Sequence, residues 1–122
     1  MVYDVFVSDN KKYVHVCVNR PVTADVLNGF VSETAVKARE HKVGNYLFDL
    51  RNSPNRASFF DHYKIVYKRA IELGYILGSK HAIVLNAEDI PDYQFVETIL
   101  NNAGFDARIF TNEKDAVEWL EE

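Results

Sequence analysis

The sequence predicts a single α/β domain spanning residues 1–122, built on a mostly parallel five-stranded sheet, and three observations carry that reading. Residues 46–50 (Tyr-Leu-Phe-Asp-Leu) and 82–85 (Ala-Ile-Val-Leu) are short, nearly unbroken apolar runs, the pattern of strands covered on both faces. Segments with a 3.6-residue apolar period alternate with them, as βαβ units require. The chain also opens on two β-rich runs joined by turn residues, which adds an antiparallel hairpin to the parallel units.

The expected order is ββαβαβαβα. Residues 2–7 and 13–18 form the hairpin, and Ser8, Asp9, Asn10 and Lys11 supply its turn. In the second strand Val14, Val16 and Val18 share one face, and Tyr13, His15 and Cys17 share the other. Pro21 and Thr23 start a helix of about 18 residues whose Leu27, Phe30, Val31, Thr34 and Ala38 recur at helical spacing. After strand 46–50, a polar loop (Arg51, Asn52, Ser53, Pro54, Asn55, Arg56) leads to a helix from Ser58. Its inward stripe reads Phe59, Tyr63, Val66, Tyr67, Ala70 and Leu73, and Gly74 suits its exit. Strand 82–85 follows. Asp89 or Asp92, with Pro91 nearby, opens a helix carrying Phe95, Val96, Ile99, Leu100 and Ala103, and Gly104 closes it. Residues 107–110 form a short edge strand with Arg108 inside it. Thr111 or Asn112 then caps a last helix whose Ala116, Val117, Trp119 and Leu120 point inward.

Composition excludes several classes. The chain is 48% hydrophobic and 26% charged, an ordinary globular balance, and no apolar run approaches the roughly 20 residues of a membrane span. One cysteine cannot form an internal disulfide, and the start lacks a basic, then apolar, leader, so a cytoplasmic location is expected. The net charge of −4 hides an asymmetry: residues 1–85 hold 12 Lys and Arg against 8 Asp and Glu, and residues 86–122 hold 2 against 10. Neutralising phosphates needs clustered Lys and Arg, to which an overall acidic chain is poorly suited, so nucleic acid is not an expected partner.

Catalytic motifs are absent, and the chain reads as non-enzymatic. Cys17 lies among aliphatic residues and reads as a buried structural thiol. Histidines 15, 41, 62 and 81 show no metal-binding spacing; His41 and His62 are expected to face water, and neither a metal nor a cofactor is expected. The glycines of residues 74–80 lack the spacing and the strand–loop–helix order of a phosphate loop, and no Gly-x-Gly-x-x-Gly occurs. Candidate binding residues gather at 49–62. Asp49 ends a buried strand, the edge where open α/β sheets place ligands. Arg51, Asn55 and Arg56 line the loop after it, and Ser58, Phe59 and His62 begin the next helix. Two arginines and a helix start would suit a phosphate or carboxylate, although Ser58 with Asp61 also reads as a capping box. The many aromatic residues of 59–95 divide between core and an apolar groove or dimer face.

Taken together, Tyr46 to Arg51, the 58–73 helix opening Ser58-Phe59-Phe60-Asp61-His62-Tyr63, and Lys80 to Val84 resemble the SpoIIAA-like, or STAS-like, family of small bacterial α/β domains. Phe95 to Thr98 and Arg108 to Asn112, leading to Ala116 and Trp119, extend the resemblance over the whole chain. It implies a regulatory, protein-binding domain. In the wider superfamily anti-anti-sigma proteins bind a partner kinase and are switched by phosphorylation of a serine at this helix start, where Ser58 falls. The chain departs from that family's Asp-Ser-Ser-Gly, reading Ala57-Ser58-Phe59-Phe60. Similarity in architecture to SEC14-type lipid-exchange domains implies an alternative, a carrier or sensor of a small amphipathic or anionic ligand. A protein partner or self-association is the leading expectation.

Overall fold

A computed structural model describes residues 3–122; Val2 of the expected first strand lies outside the described residues. The five strands are β1 (Tyr3–Val7), β2 (Val14–Val18), β3 (Tyr46–Asp49), β4 (Lys80–Val84) and β5 (Asp106–Phe110). They lie side by side in chain order, with β1 antiparallel to β2 and every later pair parallel. The expected mixed α/β architecture is therefore the observed one.

The helices are α1 (Ala24–His41), α2 (Phe59–Lys64), α3 (Ala70–Leu73), α4 (Ile90–Asn102) and α5 (Glu113–Leu120). A π-helical turn (Ile65–Arg69) joins α2 to α3, and a 3₁₀ turn (Ala87–Asp89) precedes α4. Sequential strand order combined with right-handed crossovers puts every crossover helix on one side of the sheet. The main core forms there: Val14, Val16, Phe48 and Ile83 of the sheet pack with Phe30, Val66, Tyr93 and Leu100 from above. Only α5, after the last strand, is free to cover the opposite side. It does so over Tyr13, Leu47, Ala82 and Val84, using Ala116, Trp119 and Leu120. The β1 side of that face is left more open, and Phe6 is 46% exposed.

Local chemistry sets the ends. Thr23 caps α1 by accepting from the Val26 N–H, and Asn112 caps α5 through the Asp115 N–H. Gly74 (φ +94°) and Gly104 (φ +102°) end α3 and α4 in the left-handed region that suits glycine. Arg108 is exposed on edge strand β5, its guanidinium 4.9 Å from the Trp119 ring centroid.

The 59–73 rod differs from expectation. Its buried face is His62, Ile65, Val66 and Ala70, whereas Phe59, Tyr63 and Tyr67 of the expected inward stripe are 57%, 41% and 40% exposed. Bulk misleads here: smaller side chains fit the narrow gap above the sheet, and the large rings turn outward. The π turn adds one residue to the repeat, with the Ala70 N–H returning to Ile65 O, and it brings Ile65 and Val66 inward together.

A rigid joint and the surfaces around it

Residues 50–58 form a fixed joint rather than an open loop. The Ser53 Oγ donates to Val18 O at 2.6 Å, and the Tyr93 hydroxyl donates to Ser53 O. Val22 N donates to Pro54 O at 2.9 Å and Arg56 N to Val22 O at 2.8 Å, a single parallel bridge between Val22 and Asn55. The Asn86 amide donates to Arg51 O at 2.6 Å. The segment is thus tied to β2, to the start of α1, to the β4–α4 connection and to α4. Its buried polar groups are satisfied within the protein, as burial demands.

The candidate residues separate into three groups around this joint. Asp49 and Arg51 form a forked ion pair: Arg51 Nε donates to Oδ1 at 2.9 Å and Nη2 to Oδ2 at 2.8 Å. Nη2 also approaches Glu113 at 3.4 Å, on the α5 side of the sheet. Burial would raise the Asp49 carboxyl, but the Arg51 hydrogen bonds outweigh it and hold its pKa below the usual value. Asn55 and His62 form the second group, with His62 Nε2 at 3.0 Å from Asn55 Oδ1, which also accepts the Ala57 N–H. Ser58 forms the third, in a reciprocal capping box: Asp61 N donates to Ser58 Oγ and Ser58 N to the Asp61 carboxylate. A phosphoryl group on this hydroxyl would stand beside that carboxylate. Arg56 and Phe59 are exposed. Arg51 and the helix start therefore do not converge on one anion cradle.

His62 corrects the expectation of a solvated side chain. It is 4% exposed, with Phe95 edge-on at 5.3 Å, and burial depresses its pKa to about 4. His81 is equally buried among Tyr46, Tyr75 and Phe105, with Nε2 at 3.1 Å from Ser79 Oγ, and burial depresses its pKa to about 3. Both rings line an apolar cavity of about 80 Å³ between sheet and helices, together with residues such as Phe48, Val66 and Tyr93. That is far below the roughly 300 Å³ of an ordinary ligand pocket. A second hollow of about 330 Å³ reaches that size. It lies between the end of α1 and residues 73–76, floored by Ala35, Ala38, Tyr46 and Tyr75, with Arg39 and Lys42 among the residues lining it.

Two further features take their form only in the fold. Seven of the nine large apolar side chains exposed among the described residues fall within 59–77: Phe59, Phe60, Tyr63, Tyr67, Ile71, Ile76 and Leu77. Phe59, Tyr63 and Tyr67 stack in series at 6.2 and 4.5 Å, and the Lys64 ammonium lies 5.2 Å from the Phe60 ring centroid. Counting aromatic residues signalled the patch, but only the helix rotation shows which side of the rod carries it. The other feature is Cys17, which is half-buried rather than fully buried and has His15 and Asp49 for neighbours. Burial raises the Cys17 pKa and lowers that of His15.

No family model and no curated protein matches the chain. Among solved structures it is similar to an uncharacterised protein of the DUF3478 family with a SpoIIAA-like fold from Shewanella loihica PV-4. The two share 14% identity with a TM-score of 0.66, over 97% of this chain and 91% of that one. The likeness establishes a SpoIIAA-like fold. No helix among the described residues is long and apolar enough to cross a membrane.

The buried histidines make stability fall with acid. Their folded pKa values, about 4 and about 3, lie below the unfolded value of 6.5, so from pH 6.5 downward the unfolded chain binds protons that the native state refuses. At pH 4.5, His62 alone should cost about 2 to 3 kcal/mol relative to pH 7.5. Urea unfolding at the two pH values checks this, and His62→Gln should recover about half of the loss that the two histidines cause. An unfolding free energy that is flat over this range contradicts it.

Proposed function

We propose that this protein is a non-enzymatic interaction domain that self-associates through the face of residues 59–77. The concentration of exposed aromatic and aliphatic side chains on that one rod supports the reading. Water-exposed apolar patches of this kind mark association surfaces, and aromatic residues are the commonest anchors there. A second copy of the chain is the occupant we assign. The ladder runs along a single helix, so a two-fold axis across it sets rings against rings. Asp61 and Glu72 lie on the same rod as Lys64 and Lys68, which lets an antiparallel pair place unlike charges at the rim.

A second reading, a carrier of a small amphipathic anion, is favoured by the 330 Å³ hollow with Arg39 and Lys42 beside its apolar floor. Its size suits a medium-chain carboxylate, which the 80 Å³ cavity does not. Calorimetric titration with decanoate tests it. Saturable binding that Arg39→Gln and Lys42→Gln together weaken is expected, and no heat of binding up to millimolar decanoate sinks this reading.

Sedimentation velocity on tag-free protein, from low micromolar to near-millimolar concentration, tests the interaction reading. The native chain should shift from monomer to dimer as concentration rises. Phe60→Ser with Tyr67→Ser should raise the dissociation constant at least tenfold, since burying each ring is worth about 1 to 2 kcal/mol at an association hot spot. These positions are exposed, so folding should survive, as circular dichroism will report. A monomer at every concentration, or a dimer indifferent to both substitutions, overturns it.

A further inference from the structure

We propose that His15, Cys17 and Asp49 form a binding site for a thiophilic divalent metal ion of the zinc type, on the β2–β3 part of the sheet face that α5 covers only in part. One ligating atom from each residue lies within 4.8 Å of the other two. Parallel pairing of β2 with β3 sets Cys17 beside Asp49, and strand alternation puts His15, two residues earlier, on the same face. The sequence separates these residues by up to 34 positions, so spacing gives no sign of them.

An independent observation marks the site as incomplete. His15 is only 8% exposed, and its Nε2 is the one buried side-chain nitrogen or oxygen among the described residues without a hydrogen-bond partner. An unpaired buried nitrogen of this kind is costly, and coordination through Nε2 would give it a partner. The Phe6 ring stacks on the imidazole at 4.8 Å and holds its plane.

The donor chemistry selects the ion. A thiolate with an imidazole and one carboxylate suits zinc or cobalt(II), whereas magnesium and calcium prefer oxygen donors alone. Tetrahedral zinc with such ligands needs donor separations of about 3.3 to 3.8 Å. With every separation within 4.8 Å, the trio needs to close by at most about 1.5 Å, within reach of small χ rotations. Asp49 accepts three hydrogen bonds, all from Arg51, and a carboxylate offers about four acceptor directions, so one remains for the metal. Arg51 would then orient the ligand from behind, as outer partners of metal ligands do. On binding, the Cys17 S–H bond breaks, its proton leaves to solvent, and a metal–sulfur bond forms. Thiolate and carboxylate balance the two positive charges. The fourth position falls to water, because α5 covers β3, β4 and β5 and leaves the flank by Phe6 and Asp4 open.

Cobalt(II) reads this site directly, since the chain has a single cysteine. Tag-free, chelator-treated protein titrated with cobalt should develop a near-ultraviolet thiolate-to-metal charge-transfer band that saturates at one equivalent and is displaced by zinc. Cys17→Ser should lose the band and His15→Ala should weaken binding at least tenfold, while His41→Ala, at an exposed position, should change neither. Because a variant can fail to fold, the native chain supplies a second readout: one equivalent of zinc should slow modification of Cys17 by an aromatic disulfide reagent at least tenfold. Absence of the charge-transfer band, together with unprotected Cys17, overturns the proposal.

Discussion

The structure hangs on hydrogen bonds made by one short segment, residues 50–58. Ser53 ties β3's exit to the end of β2, Pro54 and Arg56 bracket Val22 before α1, and Tyr93 reaches down from α4 to the Ser53 carbonyl. Each bond adds only about 1 kcal/mol net, but a partner removed leaves a buried group unsatisfied and costs more. The joint sets where α2 begins, hence the rotation of the whole 59–73 rod. That rotation decides that His62, Ile65 and Val66 go inward and that the aromatic ladder faces water.

The sequential strand order exerts the second constraint. Every right-handed crossover lands on the same side, so three helical connections crowd one face while α5 alone serves the other. Two surfaces follow from this imbalance. On the crowded side, a wide rod with a π turn exposes rings that the narrow core could not accept. On the sparse side, the β1–β2 flank retains the half-covered trio of His15, Cys17 and Asp49, with a forked arginine behind it. The proposed association face and the proposed metal site thus lie on opposite sides of one sheet, and each can be tested without disturbing the other.

Fold was far more legible in the residues than site. Alternation in residues 13–18 and the apolar runs near 46 and 82 depend on burial, which recurs along the chain, and α1's buried face follows the expected positions one by one. The 59–73 rod resisted because amphipathic reading ranks residues by apolarity, and large rings outrank Ile65, Val66 and Ala70. A buried neutral histidine and a π turn carry no periodic signal at all. Tyr93, 1% exposed and bonded to the joint, sat within a helix whose other apolar positions were read, yet its hydroxyl's role depends on a carbonyl 40 residues away. The capping box was visible because its partners are three residues apart, and the convergence of His15 with Asp49 was not, because strand register supplies it.

Residues 50–58 are architecture, and residues 59–77 carry the proposed association surface. Hydrogen–deuterium exchange, followed by mass spectrometry on dilute and on concentrated protein, tests both halves at once. Peptides covering 50–57 should be strongly protected, and equally so, at the two concentrations, whereas peptides within 59–77 should gain protection in the concentrated sample. Rapid exchange throughout 50–57, or concentration-dependent protection appearing there and not in 59–77, would contradict the account.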